Sequence, residues 1–372
     1  MKFTINKNTI EPVVDFLYSY IDQTSSSHSG KNIGIEIDSS SLKFTISNSI
    51  FGVKKELLVD EDKIKLENSG RILLNAHVLK SIIKKFDNFI TIEVKGETAL
   101  LYEGRTKFEI SSYEDHKFFM LDFSDSYNKT EIDSASLEKT INDVFISTIS
   151  NTDKANSNSV FKCIHIKSDN ENQIRFSATD SYRMSTEKLK LNKNIDINIS
   201  ADAKALKKLI TKETPKKIFL FFNNSKFGIS YKNTIIQINL TNIPFPETAG
   251  FFDFEHINVV KIDKNELLKL INKAVFLITD KSRRLEFKFT NSGIDLSFEV
   301  PEVGSANAFT NKYELEGPEF EMDLDFNYLK DALSVLENDT IHIYISKEYN
   351  KLLLISNKYK NNKQLITPLR RY

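Results

Sequence analysis

The sequence predicts an α+β chain of three similar domains, each with two helices packed on antiparallel sheet. The first observation behind this is Leu206–Phe222, LKKLITKETPKKIFLFF, which reads as a basic helix, a turn and an alternating strand. The second is its recurrence at Leu79–Val94 (LKSIIKKFDNFITIEV) and Leu329–Ile345 (LKDALSVLENDTIHIYI), with copies starting 127 and 123 residues apart. That spacing is too long for a solenoid repeat and suits repeated domains. The third is length: 372 residues are too many for one comfortable core and suit two or three.

An earlier helix precedes each copy. Ile5-Asn6-Lys7-Asn8 leads to Ile10, Val13, Val14 and Leu17; Ile132-Asp133-Ser134-Ala135 leads to Leu137, Ile141 and Val144; Ile262-Asp263-Lys264-Asn265 leads to Leu267, Leu270, Ile271 and Ala274. These stripes are each one helix face on a core, and Asp133 and Asp263, or the Ser and Asn beside them, suit the N-cap. Between the early and late helices lie hairpins: Asn32–Ile37 with Leu42–Ile46, Phe161–Ile166 with Ile174–Ser177, and Leu285–Phe289 with Ile294–Phe298. The late helices carry Leu79, then Leu206, Leu209 and Ile210, then Leu329. Their strands follow at Ile90, Ile92 and Val94, at Ile218, Leu220 and Phe222, and at Ile341, Ile343 and Ile345. In the second third a meander follows, over Ile218–Phe222, Phe227–Tyr231 and Ile235–Leu240. Joints near Ser124–Lys129 and Gly250–Asn258 divide the chain into 1–127, 128–254 and 255–372, and the polar run Gln23–Gly30 is expected to be a mobile loop.

Composition excludes more than it proposes. Lysine plus arginine and aspartate plus glutamate both number 51, so bulk charge selects no partner. The single cysteine, Cys163, forbids an intrachain disulfide and favours a reducing interior. Neither a signal-like apolar core at MKFTINKNTI nor a bilayer-length run is present, so a soluble intracellular protein is expected. There is no GxxxxGK[ST] and no GxGxxG. His28, His77, His116, His165, His256 and His342 form no HExxH and no spaced metal set with Cys163. His165 and His342 read as strand residues and Cys163 as a small core residue. No catalytic residue, metal site or cofactor is expected, and the chain is not expected to be an enzyme.

The two basic late helices concentrate charge. Lys80, Lys84, Lys85, Lys204, Lys207, Lys208 and Lys212 are opposed only by Asp87 and Glu213 at the ends. Like charges four apart cost helix stability. A solvated face accounts for one such helix, but recurrence on equivalent elements favours a phosphate-facing surface. Lysine without interleaved Arg, Asn or aromatics suits backbone contact rather than base reading. The third copy is weaker, with Asp331 beside Lys330.

Three two-helix thirds, Ala178-Thr179-Asp180-Ser181-Tyr182-Arg183-Met184 after a strand, Ile243-Pro244-Phe245-Pro246 at the second joint, and the terminal Leu365-Ile366-Thr367-Pro368-Leu369-Arg370 together resemble the bacterial DNA polymerase III β subunit family, the sliding clamps. The resemblance covers the whole chain. It implies the DNA clamp fold, closed into a ring by a head-to-tail homodimer around duplex DNA without sequence preference, with helices lining the hole. It further implies a processivity factor of DNA replication in the cytoplasm, associated with the nucleoid. Such a clamp is opened by a loader, tethers the replicative polymerase and other partners through a hydrophobic peptide cleft, and has no cofactor or catalysis of its own. A three-domain adaptor of the same fold that never encircles DNA is the alternative. Net neutrality departs from the acidic tendency of the family, Gly250 stands where the family often has arginine, and the tail runs on to Arg371-Tyr372.

Carried over residue by residue, the resemblance places Phe161, Thr179, Ser181, Tyr182, Arg183, Met184, Pro246 and Phe251 in the cleft. From the last third it adds Tyr328, Tyr349, Leu365, Thr367, Pro368 and Leu369. Arg183 is expected to hold a peptide carbonyl or carboxylate with its planar donors. Lys80, Lys84, Lys204, Lys207 and Lys208 are expected to face DNA, and Phe108 and Ile110 on the edge strand Thr106–Ile110 to meet Phe276 and Leu277 at the dimer interface.

Overall fold

A computed structural model describes the chain except residues 22–28, 61, 114–117, 119–120, 150–158, 171, 242, 280–282 and 372. Most of the expected loop Gln23–Gly30, and His28 and His116, therefore lie outside the described residues. Among the described residues, six α-helices follow the expected pattern: α1 (Lys7–Tyr18), α2 (Ala76–Ile83), α3 (Ser134–Phe145), α4 (Ala203–Lys207), α5 (Lys264–Ala274) and α6 (Phe326–Val335). Every apolar residue of the early-helix stripes is buried. The caps are short polar side chains, as the free N–H groups of a first turn require. Asn6 accepts from the N–H of Asn8, Asn75 from Val78, Asp202 from Ala205, Asp263 from Asn265 and Glu266, and Asp325 from Asn327 and Tyr328.

The chain forms two compact units: Met1–Ser134 with Lys208–Thr241, and Ala135–Lys207 with Asn242–Tyr372. In the first, one sheet orders Ile64–Asn68, Lys2–Asn6, Phe89–Lys95, Thr98–Glu103 and Thr106–Ser111. A second ladder in that unit runs Gly70–Asn75, Asn32–Ile37, Ser41–Ser47, Phe51–Leu58, Thr234–Thr241, Lys226–Tyr231, Lys217–Phe222 and Thr130–Asp133, antiparallel throughout. Its central step pairs Val53 with Ile236, joining strands from different sequence thirds. Gly228 sits where this ladder is tightest: a Cβ there would lie 2.4 Å from the Ile236 carbonyl oxygen and 2.6 Å from the Phe221 ring.

In the second unit a ladder runs Asn198–Asp202, Cys163–Ser168, Gln173–Thr179, Arg183–Lys190, Lys363–Ile366, Leu352–Ser356, Thr340–Ser346, His256–Asp263 and Tyr313–Glu316. Here Met184 pairs with Leu365, so the chain's last strand completes a sheet begun in the middle third. The remaining sheet orders Gly304–Thr310, Gly293–Val300, Arg284–Thr290 and Phe320–Asp325. Leu267, Leu270 and Ile271 of α5 and Leu329 and Leu333 of α6 pack with Phe287 and Phe298 in one core.

Three expectations change in detail. The basic helix from Ala203 ends at Lys207 rather than running past Lys212. A local turn takes its backbone groups instead: Thr211 N–H donates to the Thr214 hydroxyl at 2.9 Å, and Thr214 N–H to the Thr211 carbonyl at 3.0 Å. Phe161 lies in the 3-10 turn Ser159–Lys162, and its strand starts at Cys163. The second joint is also shorter, because His256–Asp263 is already strand. Asn258 there is fully buried and donates from Nδ2 to the Pro318 carbonyl at 2.6 Å.

Candidate functional site

The stretch Ala178–Met184 is a strand, a tight turn and a returning strand, and the side chains of Thr179, Asp180 and Arg183 in it have structural tasks. The Thr179 hydroxyl accepts from Ser181 N–H (3.1 Å) and donates to the Arg183 carbonyl (2.8 Å). Asp180 Oδ1 accepts from Tyr182 N–H (3.0 Å) and Arg183 N–H (2.9 Å). Ser181 takes φ 78°, a left-handed conformation that side chains adopt at a cost. The result projects Tyr182 into solvent, 61% exposed, while Met184 turns inward at 7%. The tail docks on this turn: Ile366 is in register with Arg183, and Thr367 N–H donates to the Tyr182 carbonyl at 2.9 Å.

Beside it opens a groove of about 460 Å³. Its walls take Phe161, Thr179, Ser181, Tyr182, Arg183 and Met184 from the middle of the chain, then Pro246 and Phe251, then Leu365 and Thr367 from the tail. A concave, mostly apolar site with a few polar groups is the form of a ligand or peptide site. Four expected members do not line it. Tyr328 lies behind Arg183, its ring centroid 4.5 Å from the guanidinium carbon, and burial with the Asp180 carboxylate nearby pushes its hydroxyl up to about 12. Tyr349, at φ 55°, donates from its hydroxyl to Asn258 Oδ1 at 3.2 Å and packs on Phe320. Pro368 and Leu369 carry the tail away, because Leu369 N–H donates to the Asp323 carbonyl at 2.8 Å.

Two further residues, Asn350 and Lys351, line the groove without any signal of their own in the sequence. They belong to a polar turn whose backbone is held by Ser346 Oγ, which accepts from the N–H groups of Asn350 (3.2 Å) and Lys351 (3.0 Å). Their neighbour Tyr349 is the nearest residue that the sequence singles out. The expected role of Arg183 also changes. Its Nε donates to Asp180 Oδ2 at 2.9 Å and its NH1 to Asp331 Oδ2 at 2.6 Å, so two carboxylates already hold it.

The lysines differ from one another. Lys80 pairs with Asp15 at 2.9 Å and lies over the Tyr18 ring, so its charge is partly answered within its own unit. Lys84 and Lys204 are exposed. Lys207 reaches Asn142 Oδ1 at 2.5 Å and Lys208 lies over the Phe51 ring. Among the described residues no group of His, Cys, Asp and Glu is placed to hold a metal, and no helix is long and apolar enough to cross a membrane.

Comparison with known proteins accounts for this architecture. Three family models match in order: the DNA polymerase III beta subunit N-terminal domain over residues 1–122, its central domain over 131–247 and its C-terminal domain over 252–370. The chain belongs to the DNA polymerase III beta subunit family. Among its relatives, the beta sliding clamp of Mycoplasmopsis pulmonis is 24% identical over the full length of both chains. That of Staphylococcus aureus is 22% identical over 91% of this chain and 92% of its own. The crystal structure of the DNA polymerase sliding clamp from Bacillus subtilis superposes with a TM-score of 0.89 at 20% identity, covering all of both chains. The Streptococcus pyogenes beta subunit gives 0.86 at 20%, again over both whole chains. The three-domain clamp fold is thus the fold of this chain.

Within this family member, the two surfaces expected at a dimer contact are open in different ways. Among the described residues Thr106–Ser111 pairs only with Thr98–Glu103 and is an edge strand. Phe108 and Ile110 on it are half-buried, and the Phe108 ring meets Phe86 edge-on at 5.5 Å. Phe276 and Leu277 are exposed, as is Ile278. The edge strand Gly304–Thr310, in the smaller sheet of the unit that holds Phe276, exposes Phe309, with Val303 just before it. Its residues, Gly-Ser-Ala-Asn-Ala-Phe-Thr, carry little apolar signal.

Proposed function

We infer that the chain is a sliding clamp, a non-catalytic processivity factor of DNA replication. The observation that carries this is the consecutive match of all three beta subunit domains along one chain of clamp fold. As proposals beyond the family assignment, we take the domains as 1–127, 128–254 and 255–372, and the working form as a cytoplasmic head-to-tail homodimer around duplex DNA. Phe108 and Ile110 would meet Phe276 and Leu277 of the second copy, which covers an edge strand that otherwise invites aggregation. Lys80, Lys84, Lys204, Lys207 and Lys208 would face DNA. Lys84, Lys204, Lys207 and Lys208, all exposed, supply more of the screened, sequence-blind attraction than Lys80, which is half-buried and held by Asp15. The groove beside Tyr182 and Leu365 would take an apolar peptide segment of the polymerase or loader. Its concave shape and apolar lining support this reading.

The deciding experiment is retention on DNA circles. A loaded ring should stay on a nicked circle through a high-salt wash and leave once the circle is cut. Replacing the five lysines by Ala should reduce loading and flatten its salt dependence by about one slope unit for each phosphate no longer neutralised. A monomer in light scattering that shows no difference between circle and linear DNA would instead favour an adaptor of the same fold.

A further inference from the structure

The groove has two cations on its wall, and they are in different electrostatic states. Arg183 is committed to Asp180, Asp331 and the face of Tyr328. Lys351 is half-buried, and among the described residues no carboxylate lies within 4.0 Å of its ammonium. Its Nζ stands 5.7 Å from the centroid of Phe251 and 5.6 Å from that of Phe254. The acids beside Phe254 do not answer it, since Glu255 is bound to Lys347 and Asp253 is exposed, and Glu348, three residues before it in sequence, is exposed as well. Nor is the side chain adrift, since its backbone N–H is tied to Ser346 Oγ and the strand Leu352–Ser356 begins at the next residue.

We propose that Lys351 makes the groove selective for a peptide carrying a carboxylate beside its apolar anchor. This rests on the peptide-cleft reading above. A segment lying along Phe251 covers the ammonium and strips part of its water, an uncompensated cost if the segment is neutral. A carboxylate at that place offsets the cost, and a peptide lysine there adds repulsion. The aromatic faces under Nζ lower the cost only in part, because a cation on an aromatic ring gains less than it does in an ion pair. Lys351 therefore works both for an acidic partner and against a basic one.

The test uses the full-length dimer and fluorescein-labelled peptides with a Leu-Phe anchor and one Asp at each flanking position in turn, each with an Asn twin. Fluorescence polarisation should find one position where Asp binds about fivefold or more tighter than Asn, equivalent to about 1 kcal/mol. Lys351→Met keeps an unbranched stem against Phe251 and should erase that ratio without abolishing binding. Lys351→Glu should turn the preference toward a Lys twin. An Asp-to-Asn ratio near one at every position, or a ratio that survives in Lys351→Met, overturns the proposal. If no peptide binds, or binding ignores Tyr182→Ala, the cleft reading itself fails and this inference goes with it.

Discussion

Two turns contribute walls to the same groove, and they are built on opposite principles. The turn at Thr179–Arg183 is saturated: Thr179 and Asp180 bond their own backbone, and Asp180 also fixes Arg183. The turn at Lys347–Lys351 is held mainly from one serine, and it leaves Lys351 unanswered. The first has spent its polar groups on shape. The second keeps a charge available. Rigid geometry and partner choice are thus supplied by different segments, and substitutions should separate them.

The largest effect should come from Asp180→Ala. It frees two backbone N–H groups and leaves the half-buried Arg183 guanidinium with the half-exposed Asp331 as its one carboxylate partner, beside the Tyr328 ring. A loss of about 3 kcal/mol in chemical denaturation is expected, since an uncompensated charge adds to the lost turn. Asn350→Ala in the second turn should stay within about 0.5 kcal/mol. Equal losses at the two positions would erase the contrast.

The strand leaving the saturated turn carries a second buried acid in the reverse condition. Glu187 Oε1 accepts from Tyr359 (3.0 Å) and from Lys188 N–H (2.7 Å), but Oε2 is buried with no hydrogen-bond partner. Burial, with Asp143 close by, raises its carboxyl to about 7, and burial raises Asp143 as well despite Lys139 at 2.6 Å. A raised acid stabilises the fold only while it holds its proton. Below about pH 4 both folded and unfolded chains are protonated; from there to about pH 7 only the folded chain is, so stability falls as pH rises through that window. Glu187→Gln should flatten this fall by roughly 1–3 kcal/mol between about pH 5 and about pH 8. Denaturation midpoints that track the parent at every pH would remove Glu187 from the account.

Much of the fold was legible because its signals are local. Stripes at Ile10–Leu17 or Leu267–Ala274, and hairpin alternation at Leu285–Phe298, depend on neighbours a few residues away. The Ala178–Met184 stretch was legible as a motif of the family the sequence resembles, not as a turn. What was not legible is long-range. Lys351 matters only because folding brings it beside Phe251 and the tail. The tail's anchoring belongs here too: Asp323, 2% exposed, is held by Arg284 (2.5 Å) and by Arg371 (2.8 Å), residues 39 and 48 positions away.

That anchoring changes what truncation should do. Deleting Thr367 onward removes one groove residue and the bond to the Tyr182 carbonyl. Peptide affinity should fall at least about tenfold, or about 1.4 kcal/mol. The deletion also takes Arg371 from a buried carboxylate, so the melting temperature should drop, and Arg371→Ala alone should reproduce that drop with peptide binding intact. If Arg371→Ala weakens peptide binding as much as the truncation does, the tail acts through Asp323 rather than through the groove wall.

The smallest effect is expected at Gly250→Arg, and it probes the charge side of the contrast. Gly250 is exposed within the 3-10 turn Ala249–Phe251, and a Cβ there meets nothing within 4 Å. The backbone is free of strain that only glycine relieves, so stability should change by no more than about 0.5 kcal/mol. Phe251 next to it lines the groove and lies under Lys351. A guanidinium added at this edge strengthens the positive field of Lys351, but in a solvated position where screening is strong. The Asp-bearing peptide should therefore bind about two- to threefold tighter at low salt, with its Asn twin unchanged and the gain lost at high salt. An equal gain for both twins would mean that the arginine stacks on the peptide rather than adding charge. No gain for either would place the carboxylate's contact at Lys351 beyond reach of the Gly250 turn.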